Sequence, residues 1–183
     1  MLVTLFVVLM LSTFCFNFNV LLPVLAKQTL HGGPAVFGIL SAVFGAGALL
    51  GALLSAGLAR ASLQALLLAT TGFAGLQLVL APVHSAVACG VLLFAIGACF
   101  TLWTSNSNSS LQLGAPDHLR GRVVALYYYC FNGLGPVGGL LAGWLAARGG
   151  TEHAFLVTGA IGVAATGLAL ARLRPPLRRF TWA

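Results

Sequence analysis

The sequence predicts an all-α, polytopic membrane protein with six transmembrane helices. Three observations predict this fold class: the composition, the length of the apolar stretches and the positions of the charges. Hydrophobic residues make up 60% of the 183 residues, charged residues only 6%, and the mean hydropathy is +1.03. A soluble domain carries about 25% charged residues. We therefore expect most of this chain to be solvated by lipid, so the lipid bilayer is its first predicted partner.

Six apolar stretches each approach the ~20 residues that a helix needs to cross the hydrocarbon core of a bilayer. They cover residues 2–26, 36–59, 62–81, 85–111, 122–147 and 153–171. The connections between them contain turn-forming residues, namely Gly32-Gly33-Pro34, Pro82, Gly114, Pro116 and Gly149-Gly150. We therefore predict one six-helix unit at residues 1–174 and a basic tail at residues 175–183.

The basic residues are divided unequally between the two sides of the predicted bundle. One side has Lys27 and Arg148, and the other has Arg60, Arg120, Arg122, Arg172, Arg174, Arg178 and Arg179. Cytoplasmic loops of membrane proteins are enriched in Lys and Arg, so the arginine-rich side and both termini are predicted to be cytoplasmic. The predicted location is the plasma (inner) membrane. No basic face with interleaved aromatic residues is present, so nucleic acid is not a predicted partner.

Polar side chains are concentrated in the first and fourth predicted helices. The first helix contains Asn17 and Asn19, and the fourth contains a stripe at helical spacing, formed by Thr101, Ser105, Asn108 and Gln112. Amides that face lipid tails are costly, so we expect these residues to line a water-filled cavity or to contact neighbouring helices. The alternative for residues 104–110 is that they mark the end of the helix in cytoplasmic water.

Glycine is enriched in the second and fifth predicted helices. In the second helix Gly47 and Gly51 are one turn apart, and in the fifth the same spacing joins Gly135, Gly139 and Gly143. Small residues at this spacing allow the backbones of two membrane helices to approach closely. We therefore expect both helices to be buried against protein. Pro136 is expected to kink the fifth helix, because proline removes a backbone donor.

The sequence contains no pattern of catalytic or metal-binding residues. The four histidines lie in loops or at helix ends, and the four cysteines lie inside apolar stretches without metal-ligand spacing. The two carboxylates, Asp117 and Glu152, are predicted to lie on opposite sides of the membrane, so they cannot act as an acid–base pair. The sequence therefore predicts no enzymatic activity, no metal site and no cofactor.

Four segments resemble the carboxy-terminal half of major facilitator superfamily transporters. The resemblance is to the branch of bacterial drug and siderophore exporters that includes proteins like enterobactin exporters and macrolide-efflux proteins. The segments are NFNVLLP at 17–23, GILSAVFGAGALLG at 38–51, PDHLRGRVVAL at 116–126 and GPVGGLLAG at 135–143. The third segment contains the residues that match the cytoplasmic loop motif of this family, which are Asp117, Arg120, Gly121 and Arg122.

The resemblance implies that the six helices correspond to helices seven to twelve of a twelve-helix transporter. The first and fourth helices would line the substrate pathway, the second would lie beside it, and the third and sixth would face lipid. The implied function is secondary-active export of small molecules, such as drugs or siderophores, by alternating access. The implied partners are a small-molecule substrate and either a missing N-terminal six-helix half or a second copy of the chain. The alternative is a non-transporting membrane remnant or an assembly subunit that retains the fold.

Overall fold

The computed structural model describes residues 2–57 and 63–172, and in these residues the chain is all-helical and contains no strand. This confirms the predicted fold class. Arg60, Arg174, Arg178, Arg179 and the predicted tail lie outside the described residues. The helices are α1 (Leu2–Met10), α2 (Phe18–Val24), α3 (Pro34–Gly57), α4 (Leu63–Leu80), α5 (Ala86–Leu113), α6 (Arg120–Asn132) and α7 (Gly135–Arg172).

The first membrane span, residues 2–29, is a helix broken near its middle. A π-helical turn (Leu11–Cys15) follows α1, and a second one (Leu25–Thr29) follows α2. Between the first turn and α2, Phe16 has φ −92° and ψ 59°, and Asn17 has φ −115° and ψ 34°. These values leave the helical region, so the break lies at the centre of the span.

The helix α7 consists of two helices joined at Gly150. The φ of Gly150 is 72° and its ψ is −177°, a conformation that only glycine adopts readily. We call residues 135–149 α7a and residues 151–172 α7b. A turn at this point agrees with the predicted boundary between the fifth and sixth helices, which rested on the Gly149-Gly150 pair.

Contacts with the first span show that α7a and α7b are antiparallel. A Cβ atom at Gly138, in α7a, would overlap the carbonyl oxygen of Thr13. A Cβ atom at Gly162, in α7b, would lie 2.6 Å from the Sγ of Cys15. The chain therefore passes along the first span, reverses at the turn and returns to the same level.

Within residues 2–57 and 63–172, four stretches are long and apolar enough to cross a membrane, and they are Val3–Thr29, Pro34–Gly57, Ala86–Leu113 and Asp117–Arg172. The last has 56 residues and would measure ~84 Å as one straight helix, against a hydrocarbon core of ~30 Å. The turn inside α7 divides it into two spans. The apolar helix α4 is shorter, with 18 residues. The chain is thus a multi-pass membrane protein, with helix boundaries within a few residues of the predicted ones.

The predicted burial of the helices is only partly correct. The glycine-rich α3 was expected to be buried, but only 17% of its membrane-spanning segment is buried inside the bundle. Ile39, Leu49 and Leu53 are exposed. Conversely, α7b was expected to face lipid, but it buries Phe155 and Thr158 against the rest of the bundle. Burying one narrow glycine stripe is enough for close packing, and apolar side chains that face lipid carry no penalty.

The core of the bundle is a cluster of aromatic side chains around the first span. The ring of Phe16 stacks on that of Phe100 in α5, with centroids 4.3 Å apart and planes 6° apart. Further rings continue the cluster, namely those of Phe18, Phe44, Phe73, Trp103, Phe131 and Phe155. This cluster holds α5 and α6 against the break in the first span.

The connections between helices gather at two ends of the bundle. One end, which we call the Glu152 end, has a pocket of about 410 Å³ lined by Gln28, Thr29, His31, His84, Gly149, Gly150, Thr151 and Glu152. This pocket joins the connections that follow α2, α4 and α7a. The opposite end, which we call the Asp117 end, has the connection between α5 and α6. The 28 residues of α5 separate the two ends, so the two carboxylates are far apart.

Candidate functional site

A cleft of about 480 Å³ lies between α5 and α6, toward the Asp117 end of the bundle. We call it the α5–α6 cleft. Polar side chains of α5 form one wall, and aromatic side chains, mostly from α6, form the other. The lining residues are Phe100, Thr104, Ser105, Asn108, Ser109, Gln112, Tyr127, Tyr128 and Phe131.

The polar wall exists because α5 continues as a helix through its polar segment. Residues 104, 108 and 112 follow one another at intervals of four, as do residues 105 and 109, so the five residues share one broad face of the helix. The Nε2 of Gln112 donates a hydrogen bond to the Oδ1 of Asn108. The hydroxyl of Ser55, in α3, donates to the Oγ of Ser105 over 2.8 Å. These bonds fix both ends of the polar wall.

The aromatic wall is positioned by α6 and by the aromatic core behind it. The hydroxyl of Tyr127 donates to the carbonyl oxygen of Thr104 over 3.3 Å, which joins the two walls. Tyr128 remains 53% exposed. The ring of Phe131 packs 6.4 Å from that of Phe100, measured between centroids. The cleft therefore has an ordered aromatic floor and one exposed phenol.

The residues that the sequence predicted for the substrate pathway do not lie together. Ser105, Asn108 and Gln112 line the α5–α6 cleft. Thr101 lies about one turn deeper in α5, is half-buried and is not among the lining residues, and Asn19 is exposed on the first span. The predicted stripe on α5 thus reaches the cleft with three of its four members.

Asn17 occupies a different position, inside the break of the first span. Its side chain is buried, and its Nδ2 donates to the carbonyl oxygens of Thr13 (2.8 Å) and Phe14 (3.2 Å). A Cβ atom at Gly138 would lie 3.0 Å from this nitrogen. The amide therefore satisfies carbonyl groups at the break and packs against α7a, away from the cleft.

Four lining residues were not predicted from the sequence. They are Phe100, Tyr127, Tyr128 and Phe131. A signal for the α6 members is present in the sequence, because aromatic residues at 127, 128 and 131 share one face of a helix. What the sequence did not supply is that this face lies opposite the polar stripe of α5.

Glycine brings α3 and α5 into backbone contact. Cβ atoms at Gly47 and Gly51 would overlap carbonyl oxygens of α5, and one at Gly97 of α5 would overlap a carbonyl oxygen of α3. The two helices therefore approach as closely as glycine permits. The contact from Gly97 was not predicted, since this residue has no glycine partner four positions away.

In α7a the closest contact is one residue away from the predicted glycine stripe. It lies at Gly138, whereas a Cβ atom at Gly135 would meet nothing within 4 Å. At Gly139 and Gly143 it would make only ordinary contacts of 3.7 and 3.8 Å with Val20. The buried face runs through residues 138, 142 and 146, because that face is the one turned toward the first span.

Pro136 lies in the first turn of α7. Proline is tolerated there, because the first backbone N–H groups of a helix have no partner within it. The fifth predicted helix is interrupted at Gly133 and Leu134, between α6 and α7. The interruption directly follows Asn132, whose carbonyl group lies four positions before Pro136 and therefore has no backbone donor in the helix. It lies where the missing N–H of the proline predicts a kink.

The predicted loop motif lies at the surface of the Asp117 end. The Nη2 of Arg120 is 2.7 Å from the Oδ1 of Asp117, and their side chains are 49% and 91% exposed. Gly121 and Arg122 are also exposed, in the first turn of α6. An exposed ion pair contributes little to stability. In the described part of the chain, no three His, Cys, Asp or Glu residues could together hold a metal ion.

The fold, the polar stripe in a membrane helix and the glycine contacts agree with the comparison to protein families. The model of a major facilitator family described as transmembrane secretion effector matches residues 3–180. No curated protein and no solved structure matches the chain. The match covers every described helix of the bundle except the first residue of α1. The chain therefore belongs to the transmembrane secretion effector family of the major facilitator superfamily, a family of transporters.

Proposed function

We propose that this six-helix bundle is half of a secondary-active exporter that moves small molecules such as drugs or siderophores by alternating access. The observation that carries the proposal is the α5–α6 cleft, where polar and aromatic groups of two membrane helices line one cavity. Its volume of about 480 Å³ lies in the ~300–1,000 Å³ range of small-molecule sites. The family's description as a secretion effector supports export.

The cleft requires a cover before it can act in a bilayer. Asn108 and Gln112 are only partly buried by the bundle itself, and amides in contact with hydrocarbon are costly. A second six-helix unit would cover them, and alternating access moves one such unit against the other around a site at their interface. We propose that this unit is a complementary half or a second copy of the chain.

The cleft is proposed to open toward the cytoplasm. Arg120, Arg122 and Arg172 lie at the Asp117 end, and Lys27 and Arg148 lie at the Glu152 end. The excess of basic residues therefore favours a cytoplasmic Asp117 end, cytoplasmic termini and a plasma-membrane location. Substrate would enter the cleft from the cytoplasm or the inner leaflet. Labelling of Ala115→Cys from outside intact cells, with Gly32→Cys protected, would contradict this orientation.

The test is export of a fluorescent drug-like dye from cells that express the chain with and without a complementary half from the same family. We expect export to depend on Asn108, so Asn108→Leu should reduce its rate about tenfold or more at an equal amount of protein in the membrane. The control is Thr71→Val, an exposed residue of α4 outside the cleft. Unchanged export by Asn108→Leu would contradict the assignment of the pathway. A stable complex that exports nothing in any pairing would favour the assembly-subunit alternative.

A further inference from the structure

We propose that the α5–α6 cleft recognises uncharged molecules that combine a planar aromatic ring with carbonyl or hydroxyl groups, and that it discriminates against organic cations. The inference rests on the proposed function and names the substrate class of the same site. It follows from three properties of the cleft, which are its charge, its hydrogen-bonding groups and its aromatic floor.

The charge of the bundle disfavours a cationic ligand. The sequence has two carboxylates against nine Lys and Arg residues, a formal net charge of +7. Asp117 is paired with Arg120 in the surface loop, and Glu152 lines the pocket at the opposite end. A cation that leaves water for the cleft would therefore find no carboxylate of this chain among its lining residues. An unpaired charge in such surroundings is strongly disfavoured.

The polar wall presents neutral donors and acceptors. The bond from Gln112 to Asn108 uses the Nε2 of one amide and the Oδ1 of the other. This leaves two groups for a ligand, the Nδ2 donor of Asn108 and the Oε1 acceptor of Gln112. Ser109 adds an exposed hydroxyl. Such groups match the carbonyl and hydroxyl oxygens of an uncharged ligand.

The aromatic floor favours a planar ring. Phe100 packs against Phe16, with ring centroids 4.3 Å apart, and against Phe131, with ring centroids 6.4 Å apart. The exposed ring of Tyr128 forms one side of the cleft. Aromatic rings prefer offset-stacked or edge-to-face contacts with other rings. Rings held by a packed core lose little freedom when a ligand binds, which favours affinity. Cation–π attraction to these rings would offset only part of the cost of removing an unpaired charge from water.

The experiment compares two probes that differ only in charge. One is a methoxycoumarin that carries a neutral tert-butyl group, and the other carries a trimethylammonium group of the same shape in its place. Binding is measured by equilibrium dialysis for the full chain in lipid nanodiscs, with and without a complementary half from the same family, and with empty nanodiscs as the blank. We expect the neutral probe to bind about tenfold more tightly than the cation. Tyr128→Ala and Asn108→Leu should weaken neutral binding about tenfold, and Thr71→Val should leave it unchanged. Asn108→Asp should reduce the preference for the neutral probe.

The outcomes separate the substrate class from the proposed function. If the cation binds as tightly as the neutral probe, and Tyr128→Ala or Asn108→Leu weakens its binding, the substrate class is overturned while the site stands. If neither probe responds to these two variants, or if neither binds, both the substrate class and the proposed pathway are overturned. Tyr128 is exposed, so its replacement tests the cleft even if the Asn108 variants fail to fold.

Discussion

The broken first span and the α5–α6 cleft both contain asparagine amides inside membrane-spanning helices, yet the two regions use them differently. The amide of Asn17 is buried and donates to carbonyl groups at the helix break. The amide of Asn108 is only partly buried, on a continuous helix beside a cavity. The comparison shows that the amide of Asn17 supports the backbone where its helix is broken. The amide of Asn108 lies on an intact helix, bonds to the side chain of Gln112 and lines the cleft.

The broken first span should tolerate a larger side chain at its contact with α7a less well than the α5–α6 cleft tolerates one in its lining. Gly138→Leu should destabilise the fold most, by ~3 kcal/mol, because its Cβ would overlap the backbone oxygen of Thr13 and a backbone cannot rotate away. The matched control is Gly139→Leu, whose nearest neighbour is the side chain of Val20 at 3.7 Å. Thermal unfolding in detergent should give a clearly lower midpoint for Gly138→Leu. Equal midpoints would mean that the first span and α7a are not in close contact.

The same substitution at the two asparagines should have different effects on stability. Asn17→Leu should cost ~2 kcal/mol, because it leaves the buried carbonyls of Thr13 and Phe14 without their donor. Asn108→Leu should cost less, ~0.5–1 kcal/mol, because it removes one hydrogen bond, from Gln112, at a partly buried position where water can replace the lost partner. Unfolding midpoints in detergent provide the measurement. A larger loss at Asn108 than at Asn17 would reverse the roles assigned to the two regions.

The helix positions could be predicted from the sequence because their determinants are local. Apolar length and turn residues locate each helix. The helical periodicity alone places Ser105, Asn108 and Gln112 on a common face. The role of Asn17 could not be predicted in this way. Its environment depends on a helix break that neither apolar length nor periodicity records.

The remaining differences arise from contacts between helices. The pairing of Phe131 with the polar stripe depends on how α6 packs on α5. Glycine spacing shows that a helix can be approached closely but not from which side. This is why Gly138 makes the contact expected of Gly139, and why a single glycine, Gly97, completes the contact with α3. The same limit explains why α3 is exposed to a greater extent than its composition indicated.

The accessibility of the two asparagine positions to water tests the central distinction most directly. Asn17→Cys and Asn108→Cys would be made singly in a background with the four native cysteines replaced by alanine. Each would then be treated in membranes with a hydrophilic, membrane-permeant thiol reagent. We expect position 108 to react at least tenfold faster than position 17, because only position 108 lies beside the cleft, where water or a ligand can enter. Equal protection at both positions, or faster reaction at position 17, would contradict this account.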